Sequence, residues 1–302
     1  MSKLSLTALV HTKNSASTLE KCLESLRFAD TIILVDMHSD DDTLKIARRY
    51  TKNIFEFEDV GFVEPARNFG LSKVATDWVV IVDADEEVSE DLAGVLSEIV
   101  TGRYGLAADA YYLPRRNVIF EHAFEHTGWW PDYQLRLFKK GVVTWSDNIH
   151  AVPQIKGKSE KLPAQEKGAL IHHNYQTIEQ YLDRLNRYTS ITAQQQQATT
   201  LTSEEVWQSF SGQFLARFFA QQGYRDGVHG LSLSLLQSMY QLVTQLKRWQ
   251  AQGFPKADIT SQTMAAIRKS QREFNYWLAD YQVQQSSGLS RLYWQIRRKL
   301  KV

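Results

Sequence analysis

The sequence predicts an α/β fold with a doubly wound, mostly parallel sheet, followed by a helical carboxy-terminal region. Three observations lead to it. Apolar runs such as Thr31-Ile32-Ile33-Leu34-Val35 and Trp78-Val79-Val80-Ile81-Val82 are continuous, as in strands covered on both faces. Helical patterns fall between these runs. After about Thr177 strand signals stop and the remaining chain reads as helix.

In chain order, Leu4 to His11 reads as a strand and Ser17 to Leu26 as a helix capped by Ser17. Thr31 to Val35 is a strand, Asp42 to Tyr50 a helix, Asn53 to Phe57 a short strand, and Glu64 to Lys73 a helix. Asp77 to Val82 is a strand and Leu92 to Val100 a helix, with Ser89-Glu90-Asp91 as its start signal. From about Ala110 the pattern loosens into short strands at Ala110 to Leu113, Leu135 to Phe138 and Val142 to Trp145. The segment between them is rich in Trp, His and Asp, a composition suited to substrate-facing loops. Helices are expected over Ile178 to Gln197, Ser203 to Gln222, Gly227 to Trp249 and Asp258 to Leu278. The expected division is residues 1–176 as a ligand-binding and catalytic domain and 177–302 as a helical region.

Bulk properties narrow the classes. The 302 residues are 43% hydrophobic, enough for a substantial core. A net charge of +1 does not point to nucleic acid. The single cysteine, Cys22, cannot form an internal disulfide, and its neighbours Leu19, Leu23 and Leu26 assign it to a core. The amino terminus runs into a strand without a signal-peptide apolar segment, which predicts the cytoplasm. Val228 to Gln245 lacks charged residues, yet its Ser, Gln and Thr make it too polar for a membrane span. At the carboxy terminus, Leu292, Ile296 and Leu300 share one helical face flanked by Arg and Lys. That pattern suits an interfacial anchor on anionic lipid, or a terminal helix docked on the protein.

The chemistry is concentrated in Asp83-Ala84-Asp85-Glu86-Glu87, directly after a strand. Carboxylates there fall at the carboxyl edge of the sheet, where open α/β sheets bind ligands. Two of them, two residues apart, can serve one divalent cation and one sugar hydroxyl. Asp36 ends another such strand about one βαβ unit away. There is no G-x-G-x-x-G, which disfavours an ordinary dinucleotide fold. His122, His126 and His150 fit no compact zinc spacing.

The segments Ala8-Leu9-Val10-His11-Thr12-Lys13-Asn14, Ile33-Leu34-Val35-Asp36, Ala66-Arg67-Asn68-Phe69-Gly70 and Val82-Asp83-Ala84-Asp85-Glu86 occur in a specific order. In that order they resemble family 2 glycosyltransferases of the GT-A fold. Gly128-Trp129-Trp130-Pro131-Asp132 with Tyr133 to Phe138, His172-His173-Asn174-Tyr175, and Gly223-Tyr224-Arg225-Asp226-Gly227 extend the resemblance to the lipopolysaccharide-core β-1,4-glucosyltransferase subgroup. Together they cover about residues 4–250. The subgroup commonly has Val-His-Glu where this chain has Ile149-His150-Ala151.

The resemblance implies inverting transfer from a UDP-sugar to a saccharide acceptor, expected to be lipid-linked. Thr12 and Asp36 would line the base pocket, Arg67 would contact the nucleotide, and Asp83 would hold the ribose or sugar side. Asp85 would ligate magnesium or manganese, with His172 as a further metal or diphosphate contact. Asp132 would be the general base, with Glu121 and Glu125 in reserve, and Trp129 and Trp130 would stack on acceptor sugars. Two other classes compete. A nucleotidyltransferase would need a glycine-rich loop where His11 to Ser17 has no glycine. A catalytically silent assembly protein at a membrane surface is suggested by Ala151 and by the unmatched tail.

Overall fold

The computed structural model describes residues 4–60, 63–105, 107–145, 153–165, 168–195, 202–256 and 259–302. The chain forms two compact units, Met1–Ile119 with Trp130–Asn174, and Phe120–Trp129 with Tyr175–Val302.

The first unit begins as an alternation of β1 (Leu6–Thr12), α1 (Leu19–Ser25), β2 (Thr31–Asp36), α2 (Thr43–Ala47), β3 (Asn53–Glu56), α3 (Glu64–Lys73) and β4 (Trp78–Asp83). β5 (Glu86–Val88), α4 (Glu90–Val100) and β6 (Ala110–Ile119) follow, and after β7 (His122–Ala123) of the other unit come β8 (Asp132–Lys139), β9 (Val143–Thr144), β10 (Gln154–Ile155), β11 (Ser159–Lys161) and β12 (Leu170–His173). The sheet order is β3-β2-β1-β4-β8-β6-β12-β5. β3, β2, β1 and β4 are mutually parallel, as are β6 and β12, while β8 and β5 run against their neighbours.

Continuous apolar strands are buried on both faces because alternate side chains serve two cores. Ala8 and Val10 of β1 pack in one with Leu19, Leu23, Leu92 and Leu96. Leu9 joins Ile33, Val35, Ala66, Val79 and Ile81 in the other. α3 lies close to β1 at Gly70, where an added Cβ would stand 2.8 Å from a Leu9 methyl.

β6 is longer than the four residues the sequence suggests, because Pro114 does not end it. Beyond β8, its other side pairs with β11 through Ala110–Tyr112 and with β12 through Arg115–Val118. Pro114 falls in the interval between those registers, where its missing N–H breaks neither ladder.

The second unit is helical: α5 (Ile178–Gln195), α6 (Ser203–Leu215), α7 (Gly227–Ala251), α8 (Thr260–Gln285) and α9 (Gly288–Leu300). Thr202 caps α6 in a reciprocal box with Glu205. The helix expected to run on to Gln222 widens into a π-helix at Ala216–Ala220, and Gln222 turns left-handed at φ 57°. That turn leads into Gly223, against which Gly230 of α7 packs: a Cβ on Gly230 would lie 1.8 Å from the Gly223 carbonyl oxygen. α9 is held to α8 by Arg298, whose Nη1 donates to Asp280 Oδ1 at 2.7 Å. Leu289, Leu292, Ile296 and Leu300 remain exposed, Leu289 at 87%. No helix among the described residues is long and apolar enough to cross a membrane.

Candidate active site

Three parallel strands deliver their ends to one edge of the first unit. The register sets Thr12 beside Asp36 and His11 beside Asp83. Asp36 is buried, and its two oxygens accept from the Ser39 hydroxyl and amide at 2.6 and 2.9 Å. Ser39 Oγ in turn accepts from the Asn14 amide, and Asn14 Oδ1 accepts from the Asp40 amide, so the loops after β1 and β2 brace each other. The Thr12 hydroxyl is buried and has no hydrogen-bond partner.

After β4 the chain turns tightly, with the Asp83 amide donating to Glu86 Oε2 at 3.1 Å. From this turn a charge network spreads across the sheet. Asp83 accepts from Arg136, and from Arg67 Nη2 at 3.4 Å. Glu86, fully buried, accepts from Arg136 at 2.7 Å and from Arg115 Nη1 at 3.0 Å. Arg115 then reaches Asp132 Oδ2 through Nε at 2.9 Å and Nη2 at 2.6 Å. Three carboxylates and three guanidiniums therefore alternate. Removing one partner of a buried pair costs about 3–5 kcal/mol, because the other charge is left uncompensated. Burial alone would raise the Asp83 carboxyl, but Arg136 and Arg67 outweigh it and hold the group far below the usual carboxylate range.

Asp132 is ionised for the same reason. Burial pushes its carboxyl up, while Arg115, Asn117 and Gln134 pull it net downward. Oδ2 takes Arg115 and, at 3.2 Å, Asn117 Nδ2. Oδ1 takes Gln134 Nε2 at 2.7 Å, which leaves it lone-pair capacity for a further donor.

β12 brings His172 to this network. Its register partners are Asn117 on β6 and Glu86 on β5. His172 Nδ1 lies 2.7 Å from Asn117 Oδ1. Because Asn117 gives its Nδ2 to Asp132, its oxygen faces the imidazole, and the proton belongs on Nδ1. In the neutral imidazole, Nε2 then presents a lone pair 3.5 Å from Asp85 Oδ2. Two facing acceptors suit a cation between them. Small hard cations such as magnesium bind one or two carboxylates plus substrate phosphates rather than all-protein cages. No group of three or more His, Cys, Asp or Glu converges on a metal site among the described residues. The site thus offers two protein ligands and fits a metal shared with a phosphate.

Trp130 precedes β8 in the first unit, whereas Trp129, Glu121 and Glu125 belong to the second. His126 is engaged there by Asp226, Nδ1 to Oδ1 at 3.0 Å. The Ile149-His150-Ala151 departure lies outside the described residues, as do residues 196–197 and Asp258 of the expected helices.

Residues 7–152 match the model of glycosyl transferase family 2. The chain is thus distantly similar to family 2 glycosyltransferases, including ones named for lipopolysaccharide core biosynthesis. An uncharacterized glycosyltransferase of Rickettsia felis is 25% identical over 239 residues, which span 72% of this chain and 81% of the relative. The lipopolysaccharide core biosynthesis glycosyltransferase LpsC of Rhizobium meliloti is 23% identical over 256 residues, 82% of this chain and 93% of that one. The crystal structure of S. aureus TarS 1-349 aligns with 83% of this chain and 92% of its own at 14% identity, with a TM-score of 0.41, a likeness too loose to bear on substrate.

At this site, sequence reasoning missed Arg115, Arg136, Glu86 and Asn117. Arg136 carried a signal: it sits between Leu135 and Leu137 in a run ending at Phe138, where a charge can be buried only if paired. Glu86 reads as one more acid in a solvated cluster, and Asn117 carries no local signal at all.

Proposed function

We propose that this chain is a metal-assisted, inverting glycosyltransferase that moves a sugar from a UDP-sugar to a saccharide acceptor, lipid-linked and of the surface-glycan class. The observation that carries this reading is His172 Nε2 facing Asp85 at 3.5 Å on the edge where β1, β2 and β4 end. Thr12 and Asp36 hold the base, the buried Thr12 hydroxyl having no hydrogen-bond partner of its own. Arg67, on α3 and already beside Asp83, contacts the nucleotide, and Asp83 orients the ribose or donor sugar. Magnesium or manganese held by Asp85 and His172 would neutralise charge developing on the leaving diphosphate.

The acceptor hydroxyl is a poor nucleophile at neutral pH and needs a carboxylate within hydrogen-bond reach. Asp132 supplies it through Oδ1, while Arg115 and Asn117 fix the carboxylate by its other oxygen. No covalent intermediate is needed, since attack from the face opposite the leaving group inverts the anomeric carbon in one step. Trp129 and Trp130 offer aromatic faces to acceptor sugars. The chain works in the cytoplasm, peripheral on the inner face of the cytoplasmic membrane, with α9 as the contact.

Calorimetric titration with UDP, GDP and CDP, with and without manganese, tests the donor site. The expected result is manganese-dependent UDP binding that Asp85→Asn weakens at least about tenfold, the scale of losing one charged ligand. Metal-dependent binding of another nucleotide would overturn the UDP assignment. Binding of no nucleotide would put a silent assembly role in its place.

A further inference from the structure

The second unit holds a cavity that sugar transfer does not use. It measures about 740 Å³, within the range of small-molecule sites. Val206, Trp207, Phe210, Leu242, Leu246 and Trp249 form most of its wall. Both indole N–H groups are spent elsewhere, Trp207 on Ser270 Oγ at 2.8 Å and Trp249 on the Pro255 carbonyl at 3.1 Å. The rings therefore offer the cavity apolar surface.

Four polar residues interrupt the apolar lining, of which Thr202 and Thr263 spend their hydroxyls on Glu205 and on the Ile259 carbonyl. Ser203 is 5% exposed, and its hydroxyl has no hydrogen-bond partner. Buried hydroxyls are normally paired, and each exception asks for an explanation. Lys256, exposed, is the charged side chain among the described lining residues. Leu246 and Trp249 are also partly exposed, at 42% and 38%, so apolar surface continues to the mouth.

We propose that this cavity binds the acyl chain of an anionic lipid, with Lys256 at the head group and the Ser203 hydroxyl donating to an ester oxygen. The lining argues against the other occupants. An extended peptide brings an amide with every residue, and each buried amide needs a partner that these walls do not supply. A sugar would leave more hydroxyls unpaired still. An acyl chain needs apolar contact along its length and few polar partners, and the lining supplies mostly apolar side chains with Lys256 as its charged one. The proposal stands apart from the donor-site reading, since all its residues lie in the helical unit and its test involves no turnover.

The test uses the full chain and monoacyl lysophosphatidate below its micellar concentration, followed by calorimetry. A brominated acyl analogue reports proximity to Trp207 and Trp249 through quenching of their fluorescence. Saturable one-to-one binding with quenching is expected. Leu246→Glu at the mouth should weaken it at least about tenfold, as a desolvated like charge does. Lys256→Glu should weaken lysophosphatidate similarly while leaving neutral monoacylglycerol near wild type. Both positions are exposed, and unchanged melting temperatures would show that the variants fold. Absence of saturable binding, or equal binding by wild type and Leu246→Glu, would overturn the proposal. So would a concentration-dependent dimer that Leu246→Glu dissociates without any lipid binding, since the groove would then join two copies. UDP affinity should be the same in all three proteins, which separates failure here from failure of the donor assignment.

Discussion

His11 is the residue whose behaviour follows most directly from its surroundings. It is buried, and its Nε2 lies 3.2 Å from the Ala66 carbonyl, so that nitrogen carries the proton. Burial, reinforced by Arg67, drives its pKa from 6.5 to about 3. The imidazole is therefore neutral when folded but protonates in the unfolded chain below about 6.5. Its contribution to stability is complete above that pH and is lost as pH falls toward about 3. Denaturant unfolding should show stability dropping on the order of a few kcal/mol across this window. His11→Gln should flatten the slope, and an unchanged slope would trace the acid loss to another group. Asp132 makes a second prediction at this scale. Asp132→Asn keeps the shape but removes the charge, and turnover of a UDP-sugar should fall by about 10²–10⁴-fold, the usual worth of a general base. UDP affinity should hardly move. Retained turnover would pass the role to Glu121 or Glu125. The strand-end acids could be anticipated because each follows an apolar run that can only be a buried strand. Their arginine partners could not, because pairing across β4, β6 and β8 depends on registers that no local pattern fixes.

At the scale of elements, the turn from the π-helix into α7 is tightly packed. Gly230 lies in the first turn of α7 and touches backbone rather than a movable side chain. Gly230→Ala should therefore destabilise the protein by about 1–3 kcal/mol or more, the cost of overpacking. A melting temperature within a degree of wild type would mean that the turn can open at little cost. The motif Gly223-Tyr224-Arg225-Asp226-Gly227 was visible in the sequence, but its reason was not. A glycine signals freedom or closeness, and only the packed structure says that it is closeness at Gly223 and a positive φ of 60° at Gly227. Pro114 is the converse case. Inside a strand it reads as a stop, and it is tolerated only because β11 and β12 meet β6 on either side of it.

At the scale of the whole molecule, α9 presents an amphipathic surface. It is docked by Arg298, on the side of the helix opposite Leu292 and Ile296, and so its apolar arc faces outward. Arg297 and Lys299 border that arc, in the arrangement that interfacial helices use on anionic lipid. Sedimentation with phosphatidylserine vesicles should carry down the full chain and leave a chain lacking residues 289–302 in solution. Raised salt should weaken the binding, since each basic residue near the surface adds about 1 kcal/mol of screened attraction. Equal sedimentation of both proteins would sink the anchor. The amphipathic pattern was legible beforehand, but a helical wheel cannot say which face a neighbouring helix takes.

Asn117 has a further consequence. Its amide receives the His172 proton on one side and gives its own to Asp132 on the other. Turned by half a rotation, it would set N–H against N–H and oxygen against carboxylate, two mismatches at once. A single side chain therefore acts as a key with one orientation, tying the histidine that faces Asp85 to the Asp132 carboxylate. Neither can be retuned without disturbing the other, so substrate preference is expected to change at the loops and aromatic faces rather than here.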